Sequence, residues 1–431
     1  MVYSAIMNSE IEDLLKFLGE SPSPYHAVKA MADRLDLPWI NESESWDGLS
    51  EKAFLVERAG ASLMAIRMPE ALPDPHQLRF HIVGAHTDSP CLKTKPSGPR
   101  SGDGGVEQWP VEIYGGVLLN SWLDRDLGLA GRLSWSERGE VKQRLVRFDE
   151  IRARVPQLAI HLDRNVNKEG LKLNPQKHMT PVLGLGGGAS SWEALLESVG
   201  VDPMSTDIQA DLFFHDLQPP ALIGREAEFI ASARLDNLAM CHAGLRAFLK
   251  SEPVKNTVQI LCCFNHEEVG SVSTEGADST FLPHVLERLS LGMGISREGF
   301  LASLRRSFMV SADMAHALHP NYVESHDPDH QPLLGKGPVI KSNACLRYSG
   351  VGATHSRFLG WARTAGVEVQ DFVGRNDLGC GSTIGPSLAA KLGMDALDVG
   401  SPSLSMHSIR EMAAAEDHLS MIKVMKVFFT S

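Results

Sequence analysis

The sequence predicts a layered α/β protein, and three features carry that prediction. Short apolar runs of strand length end in bursts of polar residues, segments of helical period fall between them, and one long interior stretch is rich in glycine and hairpin signals. With 431 residues and 43% hydrophobic content the chain can bury a sizeable core, and its length suggests two or three domains.

Taken in order, Ile11 to Leu18 repeats apolar residues at helical spacing, and Ser21 to Pro24 in "SPSPYHAV" break the pattern and cap a second helix running to about Leu35. Phe80 to Val83 form a short apolar strand that ends at Gly84 with polar residues after it, the usual place for a site in an open α/β sheet. The runs 257–264, 307–313 and 367–373 follow the same plan, and their continuous apolar content predicts strands covered on both faces. Helices are expected over Leu238 to Leu249, Pro283 to Leu291, His355 to Ala365 and Ile409 to Phe429. From about Lys93 to Ala227 the texture changes to "KPSGPRSGDGGVEQWP", "LGLGGGAS" and the hairpin-like "RLSWSERGEVKQRLVRF". This reads as a β-rich domain, residues 93–227, inserted into a discontinuous body of residues 1–92 and 228–431.

Composition narrows the function. No apolar run reaches membrane-spanning length, and "MVYSAIMNSEIEDLLKF" lacks the basic start and apolar middle of an export signal, so no membrane partner and a cytoplasmic location are expected. The six cysteines show no Cys-x-x-Cys spacing and read as reduced core thiols. A net charge of −12 without a Lys/Arg cluster argues against nucleic acid.

Five segments place acids and histidines at strand ends or in loops: "GAHTDSP" (His86, Asp88), "ARLDNLAM" (Asp236), "NHEEVGS" (Glu267, Glu268), "SADMAHALHP" (Asp313, His316, His319) and "LSMHSIRE" (His407). Singly each has a plain reading; Asp236, for example, could cap the helix it opens. Together they offer His, Asp, Glu, Asp and His, a set that suits two zinc ions about 3.5–4 Å apart sharing one carboxylate. Two adjacent glutamates repel, but nearby cations outweigh that repulsion. In extended backbone the pair would diverge, leaving one to bind metal and the other to take a proton from water. If the chain leaves its strand extended, His86 and Asp88 point the same way, so the carboxylate can accept the imidazole N–H.

The motifs "GAHTDSPCLKTKP", "NSWLDRDLGLAGR", "ARLDNLAMC", "FNHEEVGS", "SADMAHALHPNY", "NDLGCGSTIGP" and "MHSIREM" resemble the aspartyl aminopeptidase family of dinuclear zinc exopeptidases, nearly end to end. The resemblance implies a three-layer α/β/α catalytic domain with an inserted β-rich dimerisation domain. It implies Asp236 as the bridge, His86 and Asp313 on one metal, Glu268 and His407 on the other, Glu267 as the base and Asp88 as the orienter of the His86 ring. Zinc is the implied metal, two per chain, while manganese and cobalt suit the same ligands.

The same resemblance implies peptide substrates with acidic N-terminal residues and a homo-oligomer, a tetrahedral dodecamer built from dimers, in which a neighbour's histidine completes each site. Here that position is His161 in "IHLDRNVN". His316 and His319 fall on the motif too; as helix-start residues three apart they are either substrate contacts or ordinary surface groups. Long-range repulsion from a chain this negative calls for a cation at close quarters, and Lys341, with Arg347 nearby, is the candidate. Cys345 and Leu346 stand where the family pattern has Asn and Gln, so a preference for neutral residues is an alternative. A second alternative is a related two-metal amino-acid deacylase or dipeptidase, and a third a catalytically silent scaffold.

Overall fold

The computed structural model describes residues 9–186 and 191–431. Its largest sheet has eight strands: β1 (Ala53–Arg58), β2 (Ser62–Arg67), β3 (Arg79–His86), β4 (Thr257–Phe264), β5 (Phe308–Ala312), β6 (Val339–Ser342), β7 (Gln370–Val373) and β8 (Asp395–Gly400). They lie side by side in the order β1, β2, β4, β3, β5, β8, β6, β7. The centre is parallel, with β3 flanked by β4 and β5, and β5 in turn by β8.

Eight helices cover this sheet: α1 (Ser9–Glu20), α2 (Pro24–Leu35), α3 (Leu235–Leu249), α4 (Phe281–Gly292), α5 (Arg297–Arg306), α6 (Gly352–Ala365), α7 (Ile384–Leu392) and α8 (Ala415–Phe429). Strand side chains alternate between two cores, as a period of two requires. Val83, Ala85, Leu261, Cys263 and Val310 meet α1, α2, α3, α6 and α8, whereas Phe80, Ile82, Ile260, Cys262 and Met309 meet α4, α5 and α7. The layers are therefore helix, sheet and helix, and every residue of β4 is buried. Ser23 caps α2 by accepting from the His26 N–H with Pro24 behind it, as the sequence predicts.

A second body is β-rich. Five antiparallel strands run in the order Val111–Tyr114, Cys91–Thr94, Thr206–Asp216, Leu127–Glu137, Glu140–Ala153, around a separate core that includes Trp109, Leu129, Phe148 and Phe214. The last two form the predicted hairpin, turning at Arg138 and Gly139 with φ of 53° and 83°, the two positive values a tight hairpin turn needs. Hydrogen bonding corrects both expected boundaries. The strand Cys91–Thr94 already belongs to this sheet, so a border at 93 would cut it, and Ala221–Ile223 pairs outside it with Phe229–Ser232.

That pairing belongs to a further five-stranded sheet: Ala221–Ile223, Phe229–Ser232, Glu411–Ala414, Pro402–Leu404 and Ala315–His316. It overturns two helical expectations. Residues 411–414 pair with 229–232, so the last helix begins at Ala415 rather than near Ile409, and His316 lies in a strand instead of opening a helix. In both places pairing with a neighbour outweighs local propensity.

The cysteines are all free, but only Cys241, Cys262 and Cys263 are buried; Cys345 is exposed. Among the described residues no helix is long and apolar enough to cross a membrane.

Candidate metal centre

Because β3, β4 and β5 are parallel neighbours, their C-terminal ends meet: Phe264 pairs with His86, and Ser311 with Gly84. His86 is the last residue of β3, Asp313 follows β5 directly, and Glu267 and Glu268 lie just beyond β4. Asp236 joins them from the first turn of α3, where its backbone is not helical (φ −81°, ψ 105°) and its peptide bond to Asn237 is cis. The N-cap position of α3 is Arg234 rather than Asp236. His407 enters at φ 66° from the loop between Pro402–Leu404 and Glu411–Ala414.

All five expected ligands converge. His86 Nε2 lies 3.4 Å from Asp236 Oδ1 and 3.6 Å from Asp313 Oδ1. His407 Nε2 lies 3.5 Å from Asp236 Oδ2 and 3.4 Å from Glu268 Oε2. The two oxygens of Asp236 thus face two different histidines. In each of the sets His86, Asp236, Asp313 and Asp236, Glu268, His407 one donor atom per residue lies within 4.8 Å of the others. The histidine tautomers agree. Nδ1 of His86 is 3.0 Å from the Asp88 carbonyl and Nδ1 of His407 is 3.0 Å from the Gly116 carbonyl, so each donates there and turns the Nε2 lone pair inward.

Two details differ from expectation. Asp88 was expected to accept from the His86 ring; its Oδ1 lies 3.4 Å from Nδ1, but its backbone carbonyl makes the closer contact. The Asp88 carboxylate also accepts from Tyr114 Oη (2.7 Å) and from the N–H groups of Glu267 and Glu268 (3.1 Å each). The glutamates are not extended either. They sit in a 3-10 turn entered through His266 at φ 62°, and the turn sends Glu268 towards His407 while Glu267 Oε2 lies 3.9 Å from His86 Nε2.

The charge balance fits cations. Burial pushes Glu267 up to about 8, opposed by His86 and reinforced by Asp313; burial and Asp236 push Glu268 well above the carboxylate range. Burial would lower His86, but Asp236, Asp313 and Asp88 raise it well above its ordinary value. Asp236 Oδ1 and Glu268 Oε1 are buried with no hydrogen-bond partner. Two orphaned oxygens inside an acidic, imidazole-flanked cage suit a pair of divalent ions.

A cavity of about 630 Å³ opens over these residues and is also lined by His316 and Lys341. Lys341 is not a free cation: it is buried and donates to Asp313 Oδ2 (3.0 Å) and the Met314 carbonyl (2.9 Å). His316 opens to solvent in the cavity, though protein crowds it closely enough for burial, and then Lys341, to lower its pKa. His319 and Arg347 line an adjoining cavity of about 790 Å³, and the Arg347 guanidinium has no partner among the described residues. His161 is exposed on the β-rich body and does not line the metal cavity of its own chain. Sequence reasoning missed Tyr114, Gly116 and Glu411. Only Glu411, an acid inside "MHSIREM" beside an apolar run, left a signal.

Comparison with known proteins points the same way. Residues 17–429 match the family described as Aminopeptidase I zinc metalloprotease (M18). A "probable M18 family aminopeptidase 2" of Pseudomonas paraeruginosa is 43% identical over 435 residues, 99% of each chain, and one of Streptomyces avermitilis is 44% identical over 414, 94% of each. A chain of the Ape4 and Nbr1 complex superposes with TM-score 0.93 at 37% identity, covering 100% of this chain and 87% of that one. The S. cerevisiae mApe1 dodecamer gives TM-score 0.83 at 25% identity, covering 98% and 97%.

Proposed function

The chain belongs to the Aminopeptidase I (M18) family of zinc metalloproteases and is an aminopeptidase, and on that premise we propose that it removes N-terminal residues from peptides with two cations. His86 and Asp313 would hold one zinc, Glu268 and His407 the other, with Asp236 between them. The observation that carries this reading is the Asp236 carboxylate, whose two oxygens are directed at His86 and His407. Bound there, the ions supply a water acidic enough to react near neutral pH and polarise the scissile carbonyl. Glu267 takes the proton from the attacking water and delivers it to the leaving nitrogen. Asp88 holds the turn that aims Glu267, and Lys341 occupies the outer oxygen of Asp313 so that Oδ1 faces the cage.

For substrate, we propose acidic N-terminal residues read at short range by Lys341, His316 and the unpartnered Arg347, with His319 further out. Two observations favour neutral residues instead: the Lys341 ammonium is already paired with Asp313, and Leu346 beside Arg347 is exposed. Turnover of Asp-, Glu- and Leu-anilides separates the two, and a clear preference for Leu sinks the acidic reading. For assembly, we propose a homo-oligomer of the dodecameric kind, in which the exposed His161 of the β-rich insert reaches a neighbour's cavity. Light scattering that finds a fully active monomer overturns this.

The metal reading is tested by metal analysis with chelation. Two zinc equivalents per chain, with activity lost on chelation and restored by zinc, manganese or cobalt, is the expected result; a single equivalent in the active enzyme overturns it.

A further inference from the structure

Resting on the two-cation reading, we propose that Glu411 is a positioning residue that fixes the distance between the bridging carboxylate and His407, and thereby the affinity of one of the two cations. Glu411 opens the strand Glu411–Ala414 and is 2% exposed. Its two carboxylate oxygens each accept one backbone N–H: Oε1 from His407 at 2.8 Å and Oε2 from Asp236 at 3.0 Å.

Neither N–H has a place in regular structure. His407 sits at φ 66° in a loop, and Asp236 has non-helical φ and ψ at the start of α3. Both segments run out of the same small sheet, in which Ser232 stands opposite Glu411. Asp236 lies four residues beyond Ser232 and His407 four residues before Glu411, so two loops leave one sheet edge and must meet again at the cage. One rigid carboxylate spans the gap between their backbones. Hydrogen bonds to both N–H groups hold a spacing at which His407 Nε2 stands 3.5 Å from Asp236 Oδ2. Nothing equivalent is needed on the other side, where sheet register already fixes His86 against Asp313.

The test is Glu411→Gln in the full-length protein, with zinc affinity measured by competition against a chelator. The amide keeps one acceptor and turns an NH2 group towards the second N–H, so one bond is lost and the loops part. One cation should weaken about 10–100-fold, the usual cost of removing a group that supports a ligand, while the other keeps its affinity. The step that weakens should be the one that His407→Ala removes and His86→Ala does not, and raising free zinc should restore turnover. A merely structural role would weaken both cations together and resist rescue by zinc. Should Glu411→Gln fail to fold, Glu411→Asp, one methylene short of spanning both N–H groups, must show the same selective loss. Two cations at wild-type affinity in either folded variant, or equal weakening of both, overturns the proposal. A wild-type protein holding fewer than two cations overturns the two-cation reading and this inference with it.

Discussion

The two ends of the metal cage are built differently. The His86 end is made of strand termini: the His86 side chain is 2% exposed, and β4 and β5 flank it in a central parallel sheet. The His407 end is made of loops. Its side chain is 30% exposed, its backbone has positive φ, and its ring is steadied by a carbonyl from the β-rich body. Register gives the first end its geometry along with the fold, because three strands that end together must place their next residues together. The second end has no register to lean on and depends on side chain to backbone bonds, one of them from a different body. Geometry at the His86 end should therefore tolerate small changes that the His407 end does not.

The largest effect is expected between the ends. Glu267→Gln should leave both cations bound and lower kcat by about 10²–10⁴-fold, the usual share of a general base. Metal content and turnover measured on the same sample decide it, and a variant that retains activity removes Glu267 from the role.

Next is a change confined to the loop-built end. A Cβ at Gly116 would lie 3.0 Å from His407 Nδ1, which must then shift off its carbonyl. Gly116→Ala should weaken the cation at His407 about 10–100-fold and spare the one at His86; equal weakening of both would mean that the two ends do not differ. A smaller effect is expected from Tyr114→Phe, which removes one of the three donors to Asp88. A hydrogen bond to a charged group is worth about 1.5–3 kcal/mol, so kcat/KM should fall by about tenfold to a hundredfold. If kcat/KM is unchanged, the two backbone donors suffice.

The smallest effect concerns the strand behind the ordered end. Burial, aided by Arg79, lowers His81 on β3 to about 3, so it is neutral in the fold, stacked on Phe428 at 4.8 Å. The unfolded chain protonates this histidine near its ordinary value of about 6.5, and the folded chain does not. The unfolded state therefore binds the extra proton, so the stability tied to His81 is whole above about 6.5 and declines as pH falls towards 3. Against His81→Gln, which cannot titrate, wild-type protein should lose about 1.4 kcal/mol per pH unit between 6 and 4, read from urea midpoints. Parallel pH profiles for the two would show that His81 titrates as in an open chain.

Much of the centre could be read without coordinates because it sits on strong local signals. β4 spans the very run whose apolar content marked it, and four of the five proposed ligands lie at or just beyond a strand end or at a helix start, with His407 in a loop. The misreadings share a cause. The stretch from Ile409 into the alanine-rich residues before α8 has helical composition, but four of its residues are taken by Phe229–Ser232, a partner nearly two hundred positions away. The glutamates looked extended because no local signal marks His266 as left-handed. The pairing of Lys341 with Asp313 left no local signal either, because the two lie on different strand ends.

The sequence alone determined which side chains are available for chemistry and roughly where the chain alternates strand with helix, since apolar periodicity and polar punctuation are properties of neighbouring residues. Only the tertiary structure decided how those side chains face one another: that Asp236 turns one oxygen to each histidine, that Asp88 braces a turn more than a ring, and that Glu411 joins two loops. Such relations depend on distances between residues far apart in the chain, and those distances are fixed by sheet register and by burial, which no local pattern encodes.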